Sequence, residues 1–190
     1  MRFQKPAKAS RGPDSVIPEA VYLKCLRETS GDFHQLIRFL WATGCRPGEA
    51  ARLTVESADL PNGCCRLRTH KTARRTGRQR VIYLSDDAAA VVREQAEKYR
   101  AGLLFRGGRG GMFTLQAYTM RFERLSEKVG HAVRSYDFRH SWASRALAQG
   151  VPDAHVAALL GHTGTQMLHK HYSHITSDSR LLRDVAKRVA

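Results

Sequence analysis

No run of 18 consecutive apolar residues occurs in the 190-residue sequence, and no hydrophobic core of a signal segment follows the first positions. Neither a membrane-spanning helix nor export is indicated, and a cytoplasmic, nucleoid-associated setting without membrane partners is the expectation. Cysteine is scarce and poorly spaced for chemistry. Cys25, Cys45, Cys64 and Cys65 contain no C-x-x-C pair, so they read as reduced thiols rather than a zinc site or a disulfide framework. The glycine cluster Gly107 to Gly111 lacks the Lys-Ser/Thr that would make it a phosphate-binding loop, and there is no internal repeat. The shortage that matters most is acid. Only 17 Asp and Glu stand against 32 Lys and Arg, a formal charge of +15. Basic side chains that neutralise phosphates release condensed counterions, so nucleic acid is the natural partner. Charge alone leaves a ribosomal-type or merely basic protein equally open.

What is present is an ordinary globular composition, 42% hydrophobic and 26% charged. A chain of this length is expected to form one domain that buries roughly 70% of its unfolded surface. Residues 1–17, with Arg2, Lys5, Lys8 and Arg11 and no apolar period, read as a basic arm, and 18–190 as the domain. Pro18 opens a short helix. Asp32 is the expected N-cap of the next, whose apolar Phe33, Leu36, Ile37, Leu40 and Trp41 recur at helical spacing until Gly44. A helical turn from Pro47 to Arg52 precedes three small strands around Leu53 to Leu60, Cys64 to His70 and Arg78 to Leu84. Ser85 caps a helix to about Arg100, and helices follow from Thr114, from Tyr136, from Pro152 or Asp153 to Leu160, and from Asp178 to the end. The fold class is therefore mostly α (α+β), a helical domain with one small three-stranded antiparallel sheet.

Four strings carry the chemistry. A-T-G-C-R-P-G-E runs from Ala42 to Glu49, placing Arg46 on a turn after a helix, with Glu49 able to hold its guanidinium. Arg66 to Arg80 holds seven Lys or Arg and no acid. It is centred on a hairpin turn with Lys71, so Arg66, Arg68, Arg74, Arg75, Arg78 and Arg80 are candidate DNA contacts, although such a run is often only a solvated face. Y-D-F-R-H-S-W-A-S-R from Tyr136 to Arg145 puts Arg139 and His140 in the first turn of a helix. L-L-G-H-T-G-T-Q-M-L-H-K-H-Y from Leu159 to Tyr172 completes the set. His162, His169, His171 and His174 invite a zinc reading, but no cysteine or carboxylate closes a ligand set, so no metal and no cofactor is expected. Tyr22, Tyr83, Tyr99 and Tyr118 fall in segments that suggest packing.

In their order these strings resemble the tyrosine recombinase (phage integrase) family, which carries an Arg in T-G-x-R-x-x-E, a hairpin Lys, H-x-x-R-H, L-G-H and a C-terminal Tyr. The resemblance spans about Pro18 to Val185 and places the family's catalytic set on Arg46, Lys71, Arg139, His162 and Tyr172. It implies a site-specific recombinase that cuts and rejoins double-stranded DNA through a 3′-phosphotyrosyl link at Tyr172, with Lys71 as general acid and without metal or ATP. Two forked guanidiniums and the His162 donor suit the nonbridging oxygens of a phosphodiester in its transition state. Glu49, Tyr136, His140 and His171 are expected in supporting roles. Tyr136 departs from the family's usual His, and a phenol of pKa about 10 donates a hydrogen bond without relaying protons near neutrality. The interval from His162 to Tyr172 is about one residue longer than in many relatives. Active complexes of the family are tetramers on DNA, the last helix docking onto a neighbour; Asp178 to Ala190 is the candidate element, and a monomer is expected without DNA. Relaxation of the type IB topoisomerase kind and a non-catalytic DNA-binding relic are the competing readings.

Overall fold

Helix α2 (Gly31–Thr43) lies at the centre of the fold, because Phe33, Leu36, Ile37, Phe39 and Leu40 are buried around it on several sides. The computed structural model describes residues 15–67, 79–108, 110–162, 164–166 and 168. Before α2 comes α1 (Glu19–Arg27), and after it the single turn α3 (Pro47–Ala50). Strands β1 (Ala58–Asp59), β2 (Cys64–Leu67) and β3 (Arg80–Tyr83) form an antiparallel sheet in sequence order. Helices α4 (Asp86–Tyr99), α5 (Leu115–Val129), α6 (Asp137–Ala148) and α7 (Asp153–Leu160) follow. The architecture is the mostly helical one expected, with its small sheet.

Packing follows the hydrophobic spacing. α2 lies against α4 and α6, and an aromatic chain of Trp41, Phe138, Phe122 and Phe33 ties α2, α6 and α5 into the main core. A second, smaller cluster joins α6 to α7 through Leu147, Val156 and Leu160 and also buries Leu168. Ser85 and Thr114 cap α4 and α5 by accepting from the N–H groups of Ala88 and Ala117. All four cysteines are free and buried. Among the described residues no helix is long and apolar enough to cross a membrane.

Three local expectations change. Ser30 rather than Asp32 precedes α2. The Asp32 carboxylate is taken up elsewhere, accepting from Lys98 Nζ (2.6 Å), Tyr99 Oη (2.8 Å) and the Arg106 N–H (2.6 Å). Tertiary donors outcompeted the local cap. The first strand segment shrinks to two residues behind a 3-10 turn at Val55–Ser57, since Thr54 and Ser57 bond each other's backbone groups. Ile17, placed in the arm by sequence, is buried, and its N–H donates to Ser141 Oγ at 2.8 Å. The expectations for Arg68, Lys71, Arg74, Arg75, Arg78, His171, Tyr172 and the helix from Asp178 concern residues outside those described.

Candidate active site: three arginines at one helix end

Helix α2 stops because Gly44 adopts the left-handed conformation at φ 59°. No side chain fits there, for a Cβ would come within 2.8 Å of Trp142 Cγ. A helix end leaves carbonyls without intrahelical donors. Here α6 supplies them: Arg145 Nη2 donates to Trp41 O (2.7 Å), Trp142 Nε1 to Ala42 O (3.1 Å) and Arg139 Nη1 to Gly44 O (3.0 Å). Arg139 is thereby fixed across the end of α2.

The end of α7 repeats the pattern and gathers the site. Gly161 closes that helix at φ 70°, and three successive carbonyls then receive three arginines. Arg80 Nη2 donates to Leu159 O (2.8 Å), Arg139 Nη2 to Leu160 O (2.8 Å) and Arg46 Nη2 to Gly161 O (3.2 Å). The C-terminal end of a helix carries partial negative charge, which suits cations. The three come from a strand, a helix and a turn far apart in the chain.

Two of them, Arg46 and Arg80, share the carboxylate of Glu49. Glu49 Oε1 accepts from Arg46 Nη1 (2.8 Å), while Oε2 accepts from the Arg46 N–H (3.0 Å) and Arg80 Nε (3.4 Å). Burial alone would lift the Glu49 pKa, yet the charge of Arg80 and then the bonds from Arg46 reverse this and hold it below the usual carboxylate range. Tyr118 Oη steadies the same turn by donating to Pro47 O at 3.0 Å. Burial, and next the charge of Arg46, bring the Arg139 guanidinium down to about 10, so it stays protonated at neutrality. Three guanidiniums against one carboxylate leave a clear excess of positive charge.

His162 sits half-buried beside this group with Nε2 2.7 Å from Arg139 Nη2. Burial, followed by Arg139, Arg46 and Arg80, lowers its pKa to about 4. A protonated guanidinium can only donate, so the neutral ring accepts at Nε2 and carries its proton on Nδ1, which is buried with no partner among the described residues. The folded pKa of His162 lies below the ordinary 6.5, so the unfolded chain takes up the proton first. The stability His162 contributes is present above that value and is lost as pH falls towards 4. In NMR titration the ring is expected to stay neutral down to pH 5; a midpoint near 6.5 would contradict the placement.

Arg46, Glu49, Arg139 and His162 are thus brought together. Tyr136 is exposed at the start of α6 and its carbonyl accepts from the N–H groups of Arg139 and His140, the latter partly buried. Arg66 is exposed and paired with Asp59 at 3.2 Å. Arg80, a candidate DNA contact from its place in the basic run, is buried within the cluster. Strand alternation carried the signal, because Arg80 shares a face with the core residue Ile82. Tyr83, expected to pack, is exposed on the opposite face.

The family model described as Phage integrase family matches residues 17–178. The chain belongs to the phage integrase family. The chain is similar to Tyrosine recombinase XerA of Saccharolobus solfataricus, 29% identical over 145 residues that cover 75% of this chain and 46% of that protein. It spans about half the length of the curated relatives it matches. In fold it is similar to the catalytic domain of bacteriophage HP1 integrase, with a TM-score of 0.67 at 19% identity over 90% of this chain and 93% of that one. The Tn1549 transposon integrase in complex with circular intermediate DNA gives a TM-score of 0.76 at 19% identity, over 95% of this chain and 68% of that one.

Proposed function

We propose that this chain is the catalytic part of a site-specific recombinase acting on double-stranded DNA. The observation that carries the reading is the convergence of Arg46, Arg80 and Arg139 on one helix end, with Glu49 as a carboxylate that Arg46 and Arg80 share. A surplus of fixed positive charge, oriented in advance by carbonyls, is what an anionic phosphodiester needs as further charge develops on its nonbridging oxygens. Arg46 is the most solvent-accessible of the three, its side chain 37% exposed, and offers the first contact to a phosphate. Arg139 provides a second, fixed in orientation.

The chemical steps follow from the residue types and the family. As the Tyr172 hydroxyl attacks phosphorus and releases its proton to solvent water, the bond to the 5′-oxygen breaks, and Lys71 delivers the proton that this oxygen needs. The products are a 3′-phosphotyrosyl protein and a free 5′-hydroxyl. Attack by another 5′-hydroxyl reverses the step and joins strands, so the bond energy is kept and no ATP is required. Positive charge comes from guanidiniums, and the reaction is proposed to run without a metal ion. His162 is neutral in the free protein; a phosphate that draws on Arg139 would release Nε2 and favour a proton there. Tyr136, His140 and His171 support this arrangement, the hairpin cations hold flanking phosphates, and four protomers assemble on DNA from free monomers.

The test uses nicked duplexes of randomised sequence, in which the cleaved end diffuses away. A denaturant-stable protein–DNA adduct should form, and peptide mapping should place the nucleotide on Tyr172. DNA binding without an adduct would leave a binding module; an adduct on another residue would overturn the nucleophile.

A further inference from the structure

Arg80 is 7% exposed, and its donors are committed to groups inside the fold. It holds its own strand through Val81 O (2.7 Å), α3 through Glu49 Oε2 (3.4 Å) and α7 through Leu159 O (2.8 Å). Its guanidinium lies flat against the turn after α7, where a Cβ on Gly161 would come within 2.9 Å of both Cζ and Nε. Only glycine, at φ 70°, permits that approach. Among the described residues the Arg46 guanidinium donates to Glu49 and Gly161, and Arg80 touches both. His162 is the next residue in the chain. Arg80 also pairs with Leu67 in the last described rung of the β2–β3 ladder, and the chain between those two positions includes Lys71.

We propose that Arg80 is a positioning residue of the recombination site, a buried guanidinium that locks β3, α3 and the end of α7 together so that Arg46 and His162 address one phosphate. The inference rests on the functional reading above. Arginine is required because its planar fork donates from three separate nitrogens to three acceptors, whereas an ammonium must place all three donors on one atom. Without it Leu159 O loses this donor and, among the described residues, Glu49 keeps only Arg46, so the turn carrying Gly161 and His162 is free to shift against α3.

The experiment compares the full chain with Arg80→Lys and Arg80→Met in three measurements. In single-turnover adduct formation at saturating nicked DNA, the rate should fall about 10- to 100-fold in both, the range seen when a residue orienting active groups is lost. The dependence of DNA affinity on salt should keep its slope; a slope shallower by about one in Arg80→Met would mark a phosphate contact and overturn the proposal. In carbon-13 titration, the Glu49 carboxyl should move up in Arg80→Met, since Arg80 is the main charge holding it down. An unmoved Glu49 overturns the proposal whether or not the protein cleaves DNA. Wild-type protein that binds DNA and forms no adduct removes the recombinase reading instead, leaving the Glu49 titration to judge Arg80. Should Arg80→Met fail to fold, Arg80→Lys decides: a slowed rate with an unchanged salt slope supports the role, and a wild-type rate ends it.

Discussion

Arg139→Lys is expected to slow covalent adduct formation about 10³-fold, close to 4 kcal/mol of transition-state stabilisation, while DNA affinity changes little. Charge is conserved by the substitution, so the long-range attraction to DNA survives. What is lost is direction. The Arg139 fork spans Gly44 O at the end of α2 and Leu160 O at the end of α7, and meets His162 Nε2 on the same side. A lysine ammonium reaching one carbonyl abandons the other and cannot present a plane of donors to phosphate. Burial adds to the effect, because a site withdrawn from water gives a fixed dipole or charge more weight. Single-turnover rates and binding isotherms on the same nicked duplex make the check. A rate within threefold of wild type would show that Arg139 supports the fold alone.

Glu49→Gln should lower folding stability by about 3 kcal/mol, the lower end of the cost of leaving a buried charge without its partner. The amide still accepts one hydrogen bond, which spares part of the loss, but Arg80 then lies buried without a countercharge. The pH dependence separates this from a packing defect. Glu49's folded pKa lies below its ordinary 4.5, so its stabilisation is present above that value and disappears as pH falls through the lower folded one. Urea denaturation should therefore show the gap between wild type and Glu49→Gln closing in acid; a gap that stays constant with pH would remove the charge argument.

The two substitutions act on the same cluster for different reasons. In the proposed reaction Arg139 would act on the charge that develops further on the phosphate, so its loss is expected to fall on rate. Glu49 balances charges that are buried at all times, so its loss falls on stability first and on rate through Arg46.

Much of this fold is legible along the chain, and the failures are instructive. Ser85 and Thr114 cap their helices as their position before an apolar period implies. Gly44 and Gly161 both end helices in the left-handed region, as glycine after the last apolar residue should. Asp32 has the composition of a cap, yet donors from α4 and from Arg106 claim its carboxylate. Arg80 lies in a basic run whose other members suggest a solvated surface, and only its phase relative to Ile82 distinguishes it. Arg46 and Glu49 are three residues apart and find each other locally, so their pairing is readable in the string R-P-G-E.

By itself the sequence determined the described helices, the small sheet, the family and the residue types that a phosphate requires, because these follow from spacing of apolar residues, turn chemistry and an ordered set of short strings. Tertiary structure alone decided that Leu159, Leu160 and Gly161 would each receive an arginine, that Glu49 would serve two of those three, and that His162 would be neutral. The reason is physical: the free carbonyls of a helix end and the loss of water around a buried charge arise only when distant segments pack, and no local pattern along the chain encodes which donor arrives there.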